Sequence, residues 1–274
     1  MCYQADTAEA IKSSEREDPG PNLNCVVRDY MSFNPFDAFF LLPAMIVLQQ
    51  LGHGLRLRRQ TAPQSSAVEG AVFALFGLLL AFTFSGAVAR FDVHRELVID
   101  ECNAIETAYL RLDLLPPQSQ PQLRQLFRDY VNSRLNLYER TPGEILPATE
   151  QLQREIWQKS VAQVAASGAN PDAAKLLLPA LNNMIDITAT RQNAFHMHPP
   201  AIIFLLLFVL SGGSAFLAGY GMNTERRSWL YTIAFAFAVT LTVYATLEIE
   251  YPSKGLIRLT NTDEALLQVR DSMR

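Results

Sequence analysis

Two groups of residues in this chain could take part in chemistry, and the first is a pair of histidines. His196 and His198 flank Met197, directly before Pro199 and Pro200. Imidazoles two residues apart can chelate a metal ion only from an extended segment, and no third ligand is obvious nearby. We interpret the pair as a helix end, where histidine caps carbonyl groups and the prolines begin the next helix. We therefore expect no metal site and no cofactor.

The second group is a line of residues seven apart, Glu69, Phe76, Thr83 and Arg90. This spacing places them along one slanting side of a helix. Charges at both ends of an apolar stripe would suit the lining of a pore, and Arg95 adds a further charge beyond Arg90. We therefore predict Glu69, Arg90 and Arg95 as pore-mouth charges. The alternative is that these charges only mark the ends of a membrane-spanning segment.

Other kinds of chemistry find no support in the sequence. No nucleophile–base pair, phosphate-binding loop or carboxylate pair stands out, so we do not expect an enzyme. The cysteines Cys2, Cys25 and Cys102 lack CxxC spacing and indicate neither a zinc site nor a disulfide framework. The net charge of −4 argues against binding to nucleic acid.

Long uncharged segments place the chain in a lipid bilayer. Residues 70–89 contain no charged side chain and would form a helix about 30 Å long, which matches the hydrocarbon core of a membrane. Residues 199–222 and 229–247 form two further apolar segments. Residues 36–57 form a weaker fourth, for which an interfacial or re-entrant segment is the alternative. The charged residues Arg56, Arg58 and Arg59 at the end of this segment favour a spanning helix.

The sequence predicts an all-α integral membrane protein with four transmembrane helices and a helical soluble insert between helices two and three. The predicted parts are an acidic, disordered N-terminal tail (1–34), a first transmembrane hairpin (35–91), the soluble insert (92–198), a second transmembrane hairpin (199–249) and a C-terminal tail (250–274). The second helix is predicted to continue from the membrane into the insert. Its predicted core face carries Leu97 or Val98, then Cys102, Ile105, Tyr109 and Leu112.

Small residues four apart occur in two of the membrane helices. They are Ser211, Ala215 and Gly219 in one helix, and Ala81, Ser85 and Ala89 in the other. Such spacing lets helix backbones approach closely. The pattern itself leaves open whether the contact lies within one subunit or between subunits.

Several motifs resemble known membrane proteins. Residues 73–97 resemble the pore-lining helix of bacterial bestrophins, in which an apolar, glycine-containing helix leads into Ala-Arg-Phe-x-x-x-Arg, here Ala89, Arg90, Phe91 and Arg95. Residues 52–274 resemble the bestrophin-like family of bacterial membrane proteins more closely. The motifs that carry this second resemblance are Glu101-Cys-Asn-Ala-Ile-Glu-Thr107, Tyr109-Leu-Arg111, Leu181-Asn-Asn-Met-Ile-Asp-Ile187, Arg191, His198-Pro-Pro200 and Glu250-Tyr-Pro-Ser-Lys-Gly255.

The resemblance to bestrophins implies a homo-oligomer, with a pentamer as the expected ring, that conducts inorganic ions along the second helix. It also implies an apolar neck built from residues one turn apart. On this sequence the neck positions are Leu78 and Phe82, with Ala74 or Gly86 as a third layer. No acidic cluster follows the last membrane helix, so calcium gating is not implied.

The expected location is the cell inner (plasma) membrane, as a multi-pass protein. The arginine-rich short loops should face the cytoplasm by the positive-inside rule, whereas the resemblance places the insert and both termini there. We follow the resemblance. The expected function is an oligomeric ion channel, and the alternative is a non-conducting membrane scaffold whose helical insert binds a partner.

Overall fold

The computed structural model of the protein describes residues 34–59, 66–140, 147–166, 170–195, 197–222, 229–251 and 260–273. The predicted acidic tail up to residue 33, His196 and the loop residues 60–65 and 223–228 lie outside these ranges. Every regular element within the described ranges is helical, which confirms the predicted all-α class.

The described part of the chain forms eight α-helices and two short 3-10 helices. A 3-10 helix at Pro35–Phe40 leads directly into α1, and another at Arg111–Leu114 follows α2. The α-helices are α1 (Leu41–Arg59), α2 (Ser66–Leu110), α3 (Gln120–Arg140), α4 (Pro147–Val164), α5 (Ala173–Phe195), α6 (Ala201–Gly221), α7 (Trp229–Glu250) and α8 (Thr260–Ser272).

Four helices are long and apolar enough to cross a membrane: α1 with its preceding 3-10 helix, α2, α6 and α7. The prediction of four membrane helices is therefore confirmed, including the weaker first one. Helices α6 and α7 each pack against both α1 and α2, so the four helices form one bundle.

The tightest helix contact in this bundle joins α1 and α6 through two glycines. A Cβ atom at Gly219 would overlap the carbonyl oxygen of Gln49, and one at Gly52 would overlap that of Phe216. Since these obstacles are backbone atoms, no side-chain rearrangement can relieve them. The two backbones can touch only because both positions lack a side chain.

The two stripes of small residues serve different surfaces. Ser211, Ala215 and Gly219 are all buried against the rest of the subunit. The other stripe, Ala81, Ser85 and Ala89, is exposed on the surface of α2. The first stripe therefore packs within the subunit, and the second remains open on its outside.

Helix α2 runs without interruption from the membrane bundle into the soluble insert, as predicted. Its second half supplies the insert's core, and the predicted core residues are all buried there: Val98, Cys102, Ile105, Tyr109 and Leu112. Helices α5 and α8 pack directly on α2, and α3 packs on both α4 and α8.

The C-terminal segment contains a helix where the sequence predicts only a tail. Leu266, Val269 and Met273 of this segment are buried in the core of the insert. Arg128 of α3 also donates its Nε hydrogen to the carbonyl oxygen of Met273 at 2.7 Å. Leu266, Val269 and Met273 lie three and four positions apart, so they share one side of the segment.

Candidate functional site

Among the residues that the structure describes, none covers one side of α2 from the membrane bundle into the insert. The two predicted neck residues lie on this side, and Leu78 is 53% exposed and Phe82 68% exposed. Residues three or four positions apart continue the same side into the insert. We call this surface the free face of α2, and its exposed residues are Leu78, Phe82, Ser85, Ala89, Asp92, Glu96, Asp100, Asn103 and Thr107.

The chemical character of the free face changes where α2 leaves the apolar segment. Leu78 and Phe82 give a bulky apolar surface in the membrane-spanning half. Beyond Ala89 the face carries three carboxylates, from Asp92, Glu96 and Asp100. Arg95 is also exposed, but it precedes Glu96 by one residue and therefore points about 100° away from it. Negative charge thus dominates the free face beyond the apolar segment.

The four residues spaced seven apart, Glu69, Phe76, Thr83 and Arg90, lie on the other side of α2, against the subunit's own helices. Phe76 is buried, and Thr83 donates its hydroxyl to the carbonyl oxygens of Leu79 and Leu80 at 3.0 and 2.9 Å. The Glu69 carboxylate approaches Gly221 at the end of α6. Because this side packs inward, the stripe itself does not line an open surface of the subunit. The pore-mouth roles assigned to Glu69, Arg90 and Arg95 remain predictions.

Arg90 belongs to a cluster that joins α2 to the end of α7. Its Nε lies 3.0 Å from both carboxylate oxygens of Glu250, and its Nη2 donates to Glu250 Oε2 at 2.6 Å. His198 Nδ1 lies 3.2 Å from Glu250 Oε1. The Glu250 side chain is only 1% exposed, whereas those of Arg90 and His198 are 33% and 35% exposed. We call these three residues the Glu250 cluster.

Aromatic rings surround the Glu250 cluster where the membrane bundle meets the insert. The ring of Tyr251 lies 4.7 Å from that of His198, and the ring of Phe195 lies 4.6 Å from that of His94. Burial and the neighbouring Glu250 carboxylate raise the pKa of Tyr251 to about 12. Tyr251 therefore stays protonated at neutral pH and adds no charge to the cluster.

The predicted third neck layer has a different environment from the first two. Gly86 lies one turn before Arg90, and a Cβ atom there would stand 3.3 Å from Nη1 and 3.4 Å from Nη2 of Arg90. The missing side chain thus leaves room for the guanidinium group as it extends toward Glu250. The assignment of Gly86 to the neck stays a prediction.

A second ionic cluster is buried inside the insert and joins three helices. Arg134 of α3 donates its Nε hydrogen to Glu101 Oε1 of α2 at 2.7 Å, and Arg191 of α5 pairs with Glu101 Oε2. Burial opposes the charge of both arginines. At Arg134 the attraction of the nearby Glu101 carboxylate is stronger than the effect of burial, so the pKa of Arg134 is raised. At Arg191 burial lowers the pKa to about 9. Both side chains remain positively charged at neutral pH.

Hydroxyl groups extend this buried network. The hydroxyl groups of Tyr130 and Thr188 are 3.0 Å apart, and the Gln153 amide donates to both at 3.3 Å. Burial raises the pKa of Tyr130, so its hydroxyl stays protonated. These contacts stabilise the insert, because the groups that form them are buried away from water and from the free face.

Helices of the described part of the insert enclose cavities, of which two bear on function. One, of about 570 Å³, is lined by side chains of α4 and α5 that include Trp157, Gln158 and Asn182. The other, of about 380 Å³, opens beside the free face and is lined by Asp100, Asn103 and Asn183 among others. Within the described ranges, no three histidine, cysteine or acidic side chains are grouped as a metal site would require.

The sequence analysis does not pair the charged residues of these two clusters with one another. The structure brings Arg90 and His198 together with Glu250, and it joins Arg134 and Arg191 to Glu101. Such partners lie up to 160 residues apart, so no local spacing could have paired them.

Comparisons with known proteins agree with this architecture. The chain has the fold of a bacterial bestrophin homologue from Klebsiella pneumoniae, whose crystal structure carries a tryptophan-to-alanine mutation. The TM-score is 0.66 at 13% sequence identity, over 86% of this chain and 97% of that one. A search of curated protein sequences finds no match. A sequence profile of the Bestrophin-like domain matches residues 38–263, which is most of the chain, and the protein therefore belongs to the bestrophin-like domain family of membrane proteins.

Proposed function

We propose that this protein is the subunit of a homo-oligomeric ion channel in the inner membrane, with the free face of α2 lining the pore. The observation that carries the proposal is the continuity of this face. It stays uncovered from Leu78 in the membrane to Thr107 in the insert. Contact with lipid would explain why the apolar half of the face is exposed, but not why the exposure continues into the insert. A pore formed by several copies of α2 around one axis would need a surface that continues in this way.

The apolar half of the face would form the neck. Several copies of Leu78 and Phe82 around an axis make two stacked apolar rings one turn apart. A narrow apolar ring expels water and so blocks ions until it widens.

The acidic half of the face would shape the ion preference. Asp92, Glu96 and Asp100 contribute three carboxylates per subunit. An oligomer multiplies them into rings of negative charge at the wide end of the neck. Such rings attract cations and repel anions, so we expect a channel that prefers cations.

A non-conducting scaffold remains the second candidate, favoured by the cavity of about 570 Å³ in the insert. Its volume falls within the range of small-ligand sites, and its lining combines the aromatic surface of Trp157 with the amide groups of Gln158 and Asn182. A partner of the insert could bind there without any ion flow.

The test is to determine the mass of the detergent-purified protein and then to measure ion flux after reconstitution into liposomes. The channel proposal requires an oligomer and a flux that empty liposomes lack. A monomeric particle, or a folded oligomer that passes neither cations nor anions, would reject it and favour the scaffold.

A further inference from the structure

The position of Arg90 on α2 raises the question of where its charge acts. Arg90 follows Ala89 of the free face by one residue, so it leaves α2 about 100° around the helix from Ala89, near enough for a long side chain to reach the edge of that face. Its side chain, however, extends toward α7, where its Nη2 lies 2.6 Å from Glu250 Oε2. Gly86 leaves the space through which the guanidinium group passes.

The partner of Arg90 is a carboxylate that is almost out of contact with water. The Glu250 side chain is 1% exposed, and both of its oxygens accept hydrogen bonds from the Arg90 guanidinium group. A two-pronged pair of this kind fixes both the position and the orientation of the guanidinium group. It also neutralises one positive charge per subunit beside the acidic part of the free face.

We propose that Glu250 determines the ion preference of the pore by holding the Arg90 charge off the free face. This inference rests on the proposed channel function. When Glu250 loses its charge, the Arg90 cation remains beside a buried neutral group, which is costly. The arginine side chain is long, flexible and 33% exposed, so it can turn away from α7 toward the edge of the water-lined face. Each subunit then adds a positive charge to the pore at the membrane exit.

The other titratable groups around the cluster do not replace Glu250. His198 contacts Glu250 Oε1 at 3.2 Å, and His94 lies close enough to His198, Arg191 and Glu250 to interact electrostatically with all three. The histidine and arginine side chains are cationic or neutral, and Tyr251 is protonated. Among the described residues around the Arg90 guanidinium group, Glu250 is therefore the anionic member.

The test compares the reversal potentials of reconstituted parent and Glu250→Gln protein under a salt gradient. We expect Glu250→Gln to shift the cation-to-anion permeability ratio toward anions by several-fold. The double variant Glu250→Gln/Arg90→Gln should return toward the parent ratio, because the released charge is gone. Glu248→Gln is the matched control, since Glu248 is similarly buried on α7 but bonds with Tyr244. An unchanged ratio in folded Glu250→Gln would overturn the inference.

A second readout separates this inference from the channel proposal. An arginine-specific dicarbonyl reagent, followed by peptide mass spectrometry, reports how accessible Arg90 is whether or not the protein conducts. We expect faster modification of Arg90 in Glu250→Gln than in the parent and in Glu248→Gln. Equal rates would reject the holding role of Glu250, whereas faster modification without any ion flux would reject only the channel.

A milder variant keeps the test decisive if Glu250→Gln does not fold. Glu250→Asp retains the charge but shortens the side chain by one methylene group, which loosens the contact with Arg90. It should increase the modification rate of Arg90 and shift the permeability ratio in the same direction, by less. A folded Glu250→Asp protein with the parent's modification rate would contradict the inference.

Discussion

Glu101 of α2 and Arg134 of α3 form an ion pair with Nε 2.7 Å from Oε1, in the interior of the soluble insert. Neither side chain is more than 4% exposed. Arg191 of α5 contacts the other carboxylate oxygen, so a single acidic group ties three helices together. Helix α2 carries both Glu101 and the free face, and the pair therefore fixes α3 of the insert to the helix that we propose as the pore lining.

The first prediction concerns Glu101→Gln. Removal of the carboxylate charge leaves two buried arginines without their anion, and breaking a buried pair in this way costs about 3–5 kcal/mol. We expect a clear fall in the thermal unfolding temperature of the detergent-purified protein. Asp113→Asn is the control, because Asp113 pairs with Arg124 at the surface and is 61% exposed. An exposed pair contributes about 0–1 kcal/mol. Equal effects of both variants would contradict the structural role of Glu101.

The second prediction concerns the contact between α1 and α6. Gly219→Ala introduces a Cβ atom that overlaps the backbone carbonyl of Gln49, so the helices must separate. Overpacking of this kind costs about 1–3 kcal/mol, and we expect lower thermal stability and a lower yield of folded protein. Gly213→Ala, on the same helix, meets nothing within 4 Å and should leave stability unchanged or slightly increased. The same melting temperature for both variants would contradict a backbone contact between α1 and α6 at Gly219.

The third prediction tests the core face of the insert. Ile105 is fully buried between α2 and its neighbours. Ile105→Asp would bury an unpaired carboxylate, at a cost of several kcal/mol or more, within or above the range of about 2–7 for an unsatisfied polar group. Loss of folded protein should follow, measured as the monodisperse fraction on size exclusion. Ile99→Asp is the control, since Ile99 is 54% exposed on the same helix. A normal yield of folded Ile105→Asp would show that this face is not core.

The fourth prediction concerns the acidic half of the free face. Asp92→Asn/Glu96→Gln removes two negative charges per subunit from the proposed wide end of the pore. The cation-to-anion permeability ratio should fall, as read from reversal potentials in a salt gradient. Glu150→Gln/Glu155→Gln removes the same charge from α4, which does not carry the free face, and should have little effect. If both double variants shift the ratio equally, the free face does not line the ion path.

The sequence predicts the parts of this fold that repeat along one helix. The continuity of α2 and the burial of Ile105 and Tyr109 follow from apolar spacing alone, because neighbouring turns of one helix lie side by side. The same reasoning cannot show whether the side of α2 that carries Phe76 or the side that carries Leu78 is buried, since both sides are apolar there. Which side is covered depends on where α6 and α7 pack.

Contacts between distant segments are beyond such reasoning. The sequence predicts Arg90 as a pore-mouth charge because it ends an apolar segment, but its bond to Glu250 requires the end of α7 to lie beside it. The spacing of Leu266, Val269 and Met273 indicates an apolar side of α8, but it cannot show that this side packs on α2 and α3, which are distant in the sequence. The proximity of Gly219 to Gln49 likewise depends on how two helices cross.

The most direct test of the proposed pore is a comparison of ion flux between two matched double variants. Leu78→Ala/Phe82→Ala removes the proposed apolar rings. Phe237→Ala/Leu241→Ala removes an equivalent pair on α7, also one turn apart and 55% and 50% exposed. We predict larger or constitutive flux in liposomes from the α2 variant, because the widened neck stays wet, and parental flux from the α7 variant. Folded, oligomeric proteins whose flux is the same in all three forms would contradict the assignment of the pore to the free face of α2.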